Sequence, residues 1–412
     1  MKQKSELTFK HNLQQGRYGW LRLTPAYSLK MVQRYMPGDL AGGKLLDPFG
    51  GTATTSLYAA YHGIESYSLE LNPFLAWFSR VKTARYDKRV ADNLCHASEW
   101  LLEALGQGAI RLAEPPPIRN IQRWWRPAAL EFLQTLKGGI ATCYEKSWGT
   151  PEVIDLLTIC FCRTLIKISN AAFNHQSMSF NDDRQLGLFN EDDEYHAIFS
   201  ANVQFVAASL RRNPEVVPQI VQGDARRVDD YVPGNIDWVI TSPPYPNRMS
   251  YIRELRPYMY WLGYLEASEE AGELDWQAIG GTWGVATSRL SDWERDEAGG
   301  YYPEYYKEIL TQIRADTNKH GRKMANYIAR YFEDIAQHFE SLARVLNAGA
   351  TAHYIVGNST FYGVLVPVER LYKELMEING FTEVKIEPVR KRNSKKELYE
   401  FAVSGRMSSA KS

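Results

Sequence analysis

The sequence lacks the marks of several protein classes. No apolar run approaches the ~20 residues of a membrane span, and residues 1–10 lack the apolar core of a signal peptide. The eight histidines show no zinc-ligand spacing, so we predict no metal site. The four cysteines suggest no pairing, and Cys160 and Cys162 lie in an apolar run as buried thiols would. These absences predict a cytoplasmic protein with no membrane partner.

Net charge is also lacking, because 48 Lys and Arg balance 48 Asp and Glu. Taken globally, this balance counts against a nucleic-acid-binding protein. The basic residues nevertheless cluster at Arg119–Arg126, at Arg211–Arg212 and at Arg390–Lys396. A neutral total is therefore compatible with a basic face, and the aromatic content of 13% would suit either stacking surfaces or an ordinary core.

A β-turn-α-β unit is predicted near the N-terminus. Leu45-Leu46 forms a short strand that ends at Asp47, and Gly50-Gly51 permits a tight turn. Thr54 or Thr55 is expected to cap the following helix.

The next strand, 66–69, ends in Glu70-Leu71-Asn72. The glycine turn does not read Gly-x-Gly-x-x-Gly and no Gly-Lys-Ser/Thr follows, so neither a dinucleotide nor a nucleoside triphosphate is predicted. The remaining alternatives are another ligand and a tight turn that binds nothing.

A second stretch, Asp-Trp-Val-Ile-Thr-Ser-Pro-Pro-Tyr, runs from Asp237 to Tyr245. Its apolar residues predict a buried parallel strand, and Pro243-Pro244 ends it by fixing φ and removing two N–H donors. A rigid corner with a hydroxyl before it and a ring after it therefore lies at the carboxyl end of a strand, where ligands bind in open α/β sheets. The alternative is a plain turn with a packed tyrosine.

Together, the stretches at 47–55 and 242–245 resemble the amino-methyltransferase branch of the S-adenosylmethionine-dependent DNA methyltransferases. Those enzymes carry Asp-Pro-Phe-x-Gly-x-Gly-Thr early and Ser/Asp/Asn-Pro-Pro-Tyr/Phe/Trp later. Gly223-Asp224-Ala225 resembles the loop of the third strand. Ala53 departs from the pattern, since it stands where a second glycine often falls. The resemblance implies an α/β fold, namely a Rossmann-like class I methyltransferase sheet, mostly parallel with an antiparallel closing strand, and two largely helical insertions.

The resemblance also implies site residues. The cofactor would be S-adenosylmethionine, with Glu70 at the ribose and Asp224 at the adenine amino group. Asp47 would either accept a hydrogen bond from the ammonium group of the cofactor or fix the turn. The full cofactor-binding prediction comprises Thr24, Pro25, Asp47, Phe49, Gly50, Gly51, Thr52, Glu70, Asn72, Asp224 and Ala225. The catalytic prediction comprises Ser242, Pro243, Pro244 and Tyr245.

The chain divides accordingly. Residues 1–85, 219–265 and 321–405 are predicted to form the catalytic domain. Residues 86–218 form a helical insertion and residues 266–320 a second one, and either could read the target. In the first, Trp124 and Trp125 among arginines fit a nucleic-acid surface or two core side chains equally well.

The predicted substrate is double-stranded DNA with the target base flipped out. None of the cysteines follows a proline, which excludes the cysteine nucleophile that carbon-5 cytosine methylation needs. In the family that the chain resembles, serine in the first motif position goes more often with the N4 amine of cytosine than with the N6 amine of adenine, so the resemblance and Ser242 favour cytosine. A cognate restriction endonuclease is a possible partner. An RNA enzyme that methylates the guanine N2 of transfer RNA and a non-catalytic nucleic-acid-binding protein are the remaining alternatives.

Overall fold

The computed structural model describes residues 5–23, 26–36, 42–172, 179–180, 191–282, 284–294, 303–316, 320–392 and 397–409. The strands are β1 (Leu45–Asp47), β2 (Ser66–Glu70), β3 (Ala171–Ala172), β4 (Ser179–Phe180), β5 (Gln219–Gln222), β6 (Ile236–Thr241), β7 (Leu346–Gly357), β8 (Ser359–Phe361), β9 (Val364–Val366), β10 (Phe381–Lys391) and β11 (Tyr399–Met407).

The helices that precede β5 are α1 (Phe9–Asn12), α2 (Leu29–Tyr35), α3 (Thr54–Ala60), α4 (Pro73–Thr83), α5 (Lys88–Gly106), α6 (Ile121–Trp124), α7 (Pro127–Cys143), α8 (Pro151–Lys167) and α9 (Glu191–Ser209). Those that follow it are α10 (Val228–Tyr231), α11 (Tyr251–Trp261), α12 (Ser268–Gln277), α13 (Val285–Asp292), α14 (Glu304–Arg314), α15 (Gly321–Ala343) and α16 (Val368–Ile378). Within the described ranges, no helix combines the length and apolarity needed to cross a bilayer.

One seven-stranded sheet has the order β10-β11-β7-β6-β1-β2-β5. Every pairing from β7 to β5 is parallel, whereas β11 runs antiparallel to both β7 and β10. The predicted fold class is confirmed: the sheet is Rossmann-like and mostly parallel, with an antiparallel closing strand and flanking helices. In such a sheet the carboxyl ends of the parallel strands meet at one edge.

Burial on both faces explains why the central strands are so apolar. Leu45, Leu46, Val239 and Ile240 are fully buried. The region between β2 and β5 is helical, as its apolar spacing predicts. Its helices pack against α4 and α11 in an apolar cluster separate from the one around the central strands, and we call it the second cluster. Parallel strands covered on both faces need such continuous apolar runs.

The paired tryptophans of the helical region belong to this second cluster. Trp124 is 3% exposed and Trp125 is 0% exposed, and the Nε1–H of Trp125 donates to the Leu165 carbonyl at 2.9 Å. The core interpretation is therefore correct for both side chains. Tyr258 and Trp261 of α11 are buried in the same cluster, at 3% and 4% exposed.

One local prediction was wrong. Helix α3 begins at Thr54, and its N-cap is Ala53 rather than Thr54 or Thr55. Ala53 has a φ of 54°, in the left-handed region, and makes no side-chain cap bond, because its methyl group cannot accept a hydrogen bond. Strand β10 extends to Lys391, so Arg390 lies within a strand.

The close approach of the glycine turn to β2 depends on residue 50. A Cβ built on Gly50 would lie 2.2 Å from Ser68 Oγ, with the next atoms at 3.2 and 3.5 Å. Ser68 Oγ is buried and has no hydrogen-bond partner among the described residues. The Ser68 hydroxyl is therefore the main obstacle to a side chain at position 50.

We expect Gly50→Ala to lower the free energy of unfolding by about 1–3 kcal/mol through overpacking. Ser68→Ala alone should change it by less than about 1 kcal/mol, because the lost hydroxyl is unpaired. The double variant should recover most of the stability lost in Gly50→Ala, as measured by urea unfolding. An equal cost of Gly50→Ala in both backgrounds would contradict the packing account.

Candidate active site

A cavity lies at the carboxyl edge of the sheet and collects most of the predicted residues. Its wall includes Phe49, Gly50, Gly51, Thr52, Glu70, Asn72, Asp224, Ala225, Ser242 and Pro244. Asp47, Pro243 and Tyr245 lie next to wall residues in the chain but are not part of this wall. Thr24 and Pro25 fall outside the described residues, although Leu23 and Ala26 on either side of them line the cavity. The two motifs, separate in sequence, thus share one cavity.

The glycine turn is held by hydrogen bonds from both sides. The N–H of Gly51 donates to Glu70 Oε2 at 2.7 Å, and the Ser79 hydroxyl donates to the Gly51 carbonyl at 3.2 Å. Gly51 has a φ of 52°, which favours glycine. Ser79 lies on α4, so that helix helps to fix the turn.

A buried lysine on α4 completes this support. The Nζ of Lys82 donates to the Thr52 carbonyl, and the side chain is 0% exposed. Burial lowers the pKa of Lys82 to about 7. Sequence analysis missed Lys82, and its only signal was a charged residue on the otherwise apolar face of α4.

Asp47 is the buried anchor of the turn. Its Oδ1 accepts a hydrogen bond from the Thr241 hydroxyl at 2.6 Å and another from the N–H of Phe49 at 3.2 Å. Burial raises the pKa of Asp47 to about 6, against hydrogen bonds that favour the charged form. Asp47 therefore joins the first motif to the end of β6, the strand that carries the second.

Glu70 faces the cavity with both oxygens partly engaged. Oε1 accepts from the N–H of Asn72 at 2.8 Å, and Oε2 accepts from the N–H of Gly51. Each carboxylate oxygen has a second lone pair, so Glu70 can still accept hydrogen bonds from a ligand. Burial raises the pKa of Glu70 to about 7, although the two backbone N–H groups favour the ionised form.

Asp224 is more heavily engaged than its predicted role allows for. Both of its oxygens accept from the guanidinium of Arg226, at 2.5 to 3.0 Å. Arg226 also pairs with Asp334 of α15 at 2.9 Å. Asp224 lines the cavity, but a ligand amino group would have to share its carboxylate with Arg226.

His338 of α15 fixes the neighbouring Ala225. Its Nδ1 lies 2.7 Å from the Ala225 carbonyl, and its Nε2 lies 2.6 Å from the Tyr354 hydroxyl. Burial lowers the pKa of His338 to about 4, so the ring is neutral at physiological pH. The neutral ring can then donate to Ala225 and accept from Tyr354.

The Ser-Pro-Pro-Tyr corner is fixed by neighbours that lie far away in sequence. The Ser242 hydroxyl donates to the Ile355 carbonyl at 3.1 Å, which leaves the lone pairs of its oxygen able to accept. The Pro244 carbonyl accepts from the Tyr331 hydroxyl at 2.8 Å. Among the described residues, no donor reaches the Pro243 carbonyl.

Tyr245 is held by the closing hairpin. Its hydroxyl donates to Glu400 Oε1 at 3.0 Å, and Arg390 binds both Glu400 oxygens at 2.6 and 2.8 Å. The guanidinium of Arg392 lies 5.0 Å from the centroid of the Tyr245 ring and covers one face of it. Gly357 permits this contact, since a Cβ there would lie 2.3 Å from an Arg392 nitrogen.

Glu400 and Arg390 were missed by sequence analysis. A signal existed, because Glu400 shares one face of β11 with the apolar Ala402, and an acid on a buried face needs a partner. The identity of that partner depends on the pairing of β10 with β11.

Two proteins of known class resemble the chain in sequence. The type II methyltransferase M.MvaI of Kocuria varians is 20% identical over 352 residues, which is 81% of this chain and 74% of that protein. The type II methyltransferase M.BsoBI of Geobacillus stearothermophilus is 22% identical over 440 aligned positions, which is 94% of this chain and 82% of that protein. These similarities support a methyltransferase.

Two other comparisons add little. No protein-family model matches the chain. The solved structure of the rRNA methyltransferase aviRa from Streptomyces viridochromogenes aligns over 92% of this chain and 82% of that one. It is 12% identical with a TM-score of 0.26, too low to carry an argument.

Within the described residues, no three His, Cys, Asp or Glu side chains lie close enough together to hold a metal ion.

The raised pKa of Glu70 predicts a pH dependence of ligand binding. Glu70 can accept hydrogen bonds from ligand hydroxyls at both of its oxygens only when it is ionised. Binding should therefore weaken as pH falls through about 7, and the affinity for S-adenosylhomocysteine should drop about tenfold between pH 8 and pH 6.

Isothermal titration calorimetry at the two pH values measures this change. Glu70→Gln is the matched control, since it keeps the shape of the side chain and cannot ionise. It should bind more weakly than the wild type, with an affinity that changes much less than that of the wild type between the two pH values. A flat profile for the wild-type protein would contradict the role of Glu70.

Proposed function

We propose that the protein is an S-adenosylmethionine-dependent DNA methyltransferase that modifies the exocyclic amine of a flipped base, with N4 of cytosine favoured over N6 of adenine. The observation that carries this proposal is the shared cavity: Ser242 and Pro244 line the same wall as the glycine turn and Glu70. The resemblance of both motifs to DNA amino-methyltransferases and the similarity to two type II methyltransferases support it.

The residues present fit the cofactor. Glu70 offers acceptor capacity for ribose hydroxyls, and the turn at Gly50-Gly51 allows a ligand to approach the backbone. Ala225 and Asp224 form the wall at the end of β5, where the adenine would lie. When bound, S-adenosylmethionine supplies a methyl group on a positively charged sulfur, so that a neutral thioether leaves.

The task of the protein in this reaction is proximity and orientation. Ser242 Oγ has its own proton committed to Ile355 and can accept a hydrogen bond from the target amine. The Pro243 carbonyl can accept a second, and Pro243-Pro244 holds that carbonyl in place. Two such bonds would draw the conjugated amine toward tetrahedral geometry and expose its lone pair.

Tyr245 is proposed to stack on the flipped base. Flipping costs a few kcal/mol, which stacking on an aromatic ring partly offsets. The Glu400 hydrogen bond fixes the ring, and Arg392 covers one of its faces, so a base would have to stack on the opposite face. Fixing the ring before substrate arrives lowers the entropy cost of binding.

The remaining assignments follow the sequence predictions. We propose that residues 1–85, 219–265 and 321–405 form the catalytic domain, and that residues 86–218 and 266–320 contain the target-reading surface. A role in restriction and modification, with a cognate endonuclease, fits the type II relatives. Adenine N6 methylation is the alternative that shares every feature of the site.

Ser242→Ala tests the catalytic corner. We expect it to lower kcat for methyl transfer to unmodified DNA by about 10²-fold or more, and to leave the affinity for S-adenosylhomocysteine within about twofold. Ser409→Ala, at an exposed position outside the proposed target-reading segments, is the matched control and should retain full activity.

Transfer of label from S-adenosylmethionine to DNA, compared with transfer to RNA, provides the assay. Full activity of Ser242→Ala would show that the serine does not act on the amine. Transfer to RNA alone would exclude the DNA substrate.

A further inference from the structure

The cavity has a side that the two motifs do not account for. Gln277, Ala278 and Ile279 line it together with Asp224 and Ala225. Gln277 is the last residue of α12, and Ala278 and Ile279 follow it directly, in the second insertion, which is predicted only to read the target. We refer to residues 276–281 as the wall segment.

Two arginines fix the backbone of the wall segment. Arg226 donates to the Gln277 carbonyl at 2.8 Å while it pairs with Asp224 and Asp334. Arg330 of α15 donates to the Trp276 carbonyl at 2.6 Å, and its guanidinium lies 3.6 Å from the centroid of the Trp276 ring. The arginine that occupies Asp224 therefore also holds the segment that faces it.

Paired glycines let the wall segment turn tightly. Gly280 has a φ of 77°, and a Cβ on Gly281 would lie only 1.6 Å from the Asp275 carbonyl oxygen. Asp275 is 1% exposed and accepts from the Ser250 hydroxyl at 2.5 Å, so the end of α12 is itself anchored. The turn thus needs glycine to fold back on the helix.

Helix α15 connects the wall segment to the catalytic corner. The Tyr327 hydroxyl donates to the Gly280 carbonyl at 3.3 Å, and Tyr331, one turn later, donates to the Pro244 carbonyl. Residues four apart lie on one face of a helix. The same face of α15 therefore holds both the wall segment and the corner.

We propose that the wall segment is part of the cofactor site and forms an apolar wall for the adenine ring, with Ala278 and Ile279 opposite Ala225. This inference rests on the proposed function, since it takes the ligand to be S-adenosylmethionine. The Asp224 carboxylate is shared with Arg226, so packing against the apolar side chains of Ala278 and Ile279 supplies contact that Asp224 alone does not. The second insertion would then help to bind cofactor as well as any target.

Binding of S-adenosylhomocysteine to the purified full-length protein, without DNA, tests the proposal. Ala278→Phe places a ring in the cavity and should weaken binding at least about tenfold. Ser268→Phe, on the exposed first turn of the same helix, should bind within about twofold of the wild type. Equal affinity of all three proteins would overturn the proposal.

Hydrogen exchange on the wild-type protein gives a second readout that needs no variant to fold. Saturating S-adenosylhomocysteine should slow exchange of the amides in residues 276–281 and leave those of α7 unchanged. Unchanged exchange in the wall segment would overturn the inference. Failure of the wild-type protein to bind the ligand at all would instead overturn the proposed function.

Discussion

The pairing of β1 with β2 on one side and with β6 on the other is the constraint on which the site depends. Leu46 lies opposite Tyr67 in β2 and opposite Val239 in β6. Because these strands are parallel and in register, Asp47, Glu70 and Ser242 reach the same edge of the sheet. A slip of one residue in either pairing would reverse the faces of the strand and separate the two motifs. The fully buried side chains of β1 and β6 fix that register, so the apolar core determines the chemistry of the edge.

Buried polar groups at this edge are held in place by one another. Asp47 accepts a hydrogen bond from the Thr241 hydroxyl, and Glu70 accepts one from the N–H of Gly51 in the glycine turn. Lys82 donates one to the Thr52 carbonyl of the same turn. Burial raises the pKa of both acids and lowers that of the lysine, so each charge is costly where it lies. Such arrangements are common at functional sites, where side chains must be rigid before the ligand arrives. Glu400 and Arg390 fix the position of Tyr245, the last residue of the Ser-Pro-Pro-Tyr corner, because Tyr245 donates to Glu400 and Arg390 binds Glu400.

The motifs and the strand ends could be predicted because they depend on neighbours within a few residues. Short apolar runs that stop at Asp47, Glu70 and Ser242 are visible in the chain itself, and the parallel fold brings them together. The partners of Tyr245 could not be predicted, since Glu400 lies 155 residues away and its position depends on the pairing of β11 with β7. The ion pair between Asp224 and Arg226 could have been predicted, because the two residues are only two positions apart in the sequence. The position of the wall segment could not be predicted, because nothing in the sequence of residues 276–281 indicates where the second insertion packs.

The central claim is that the corner at Ser242 presents an exocyclic base amine to S-adenosylmethionine. The most direct measurement is incubation of the protein with labelled S-adenosylmethionine and unmodified genomic DNA, followed by digestion and mass spectrometry of the nucleosides. We predict N4-methylcytosine, and N6-methyladenine would keep the mechanism but change the base. Label found only on carbon 5 of cytosine, or no methylated nucleoside from DNA at all, would contradict the account.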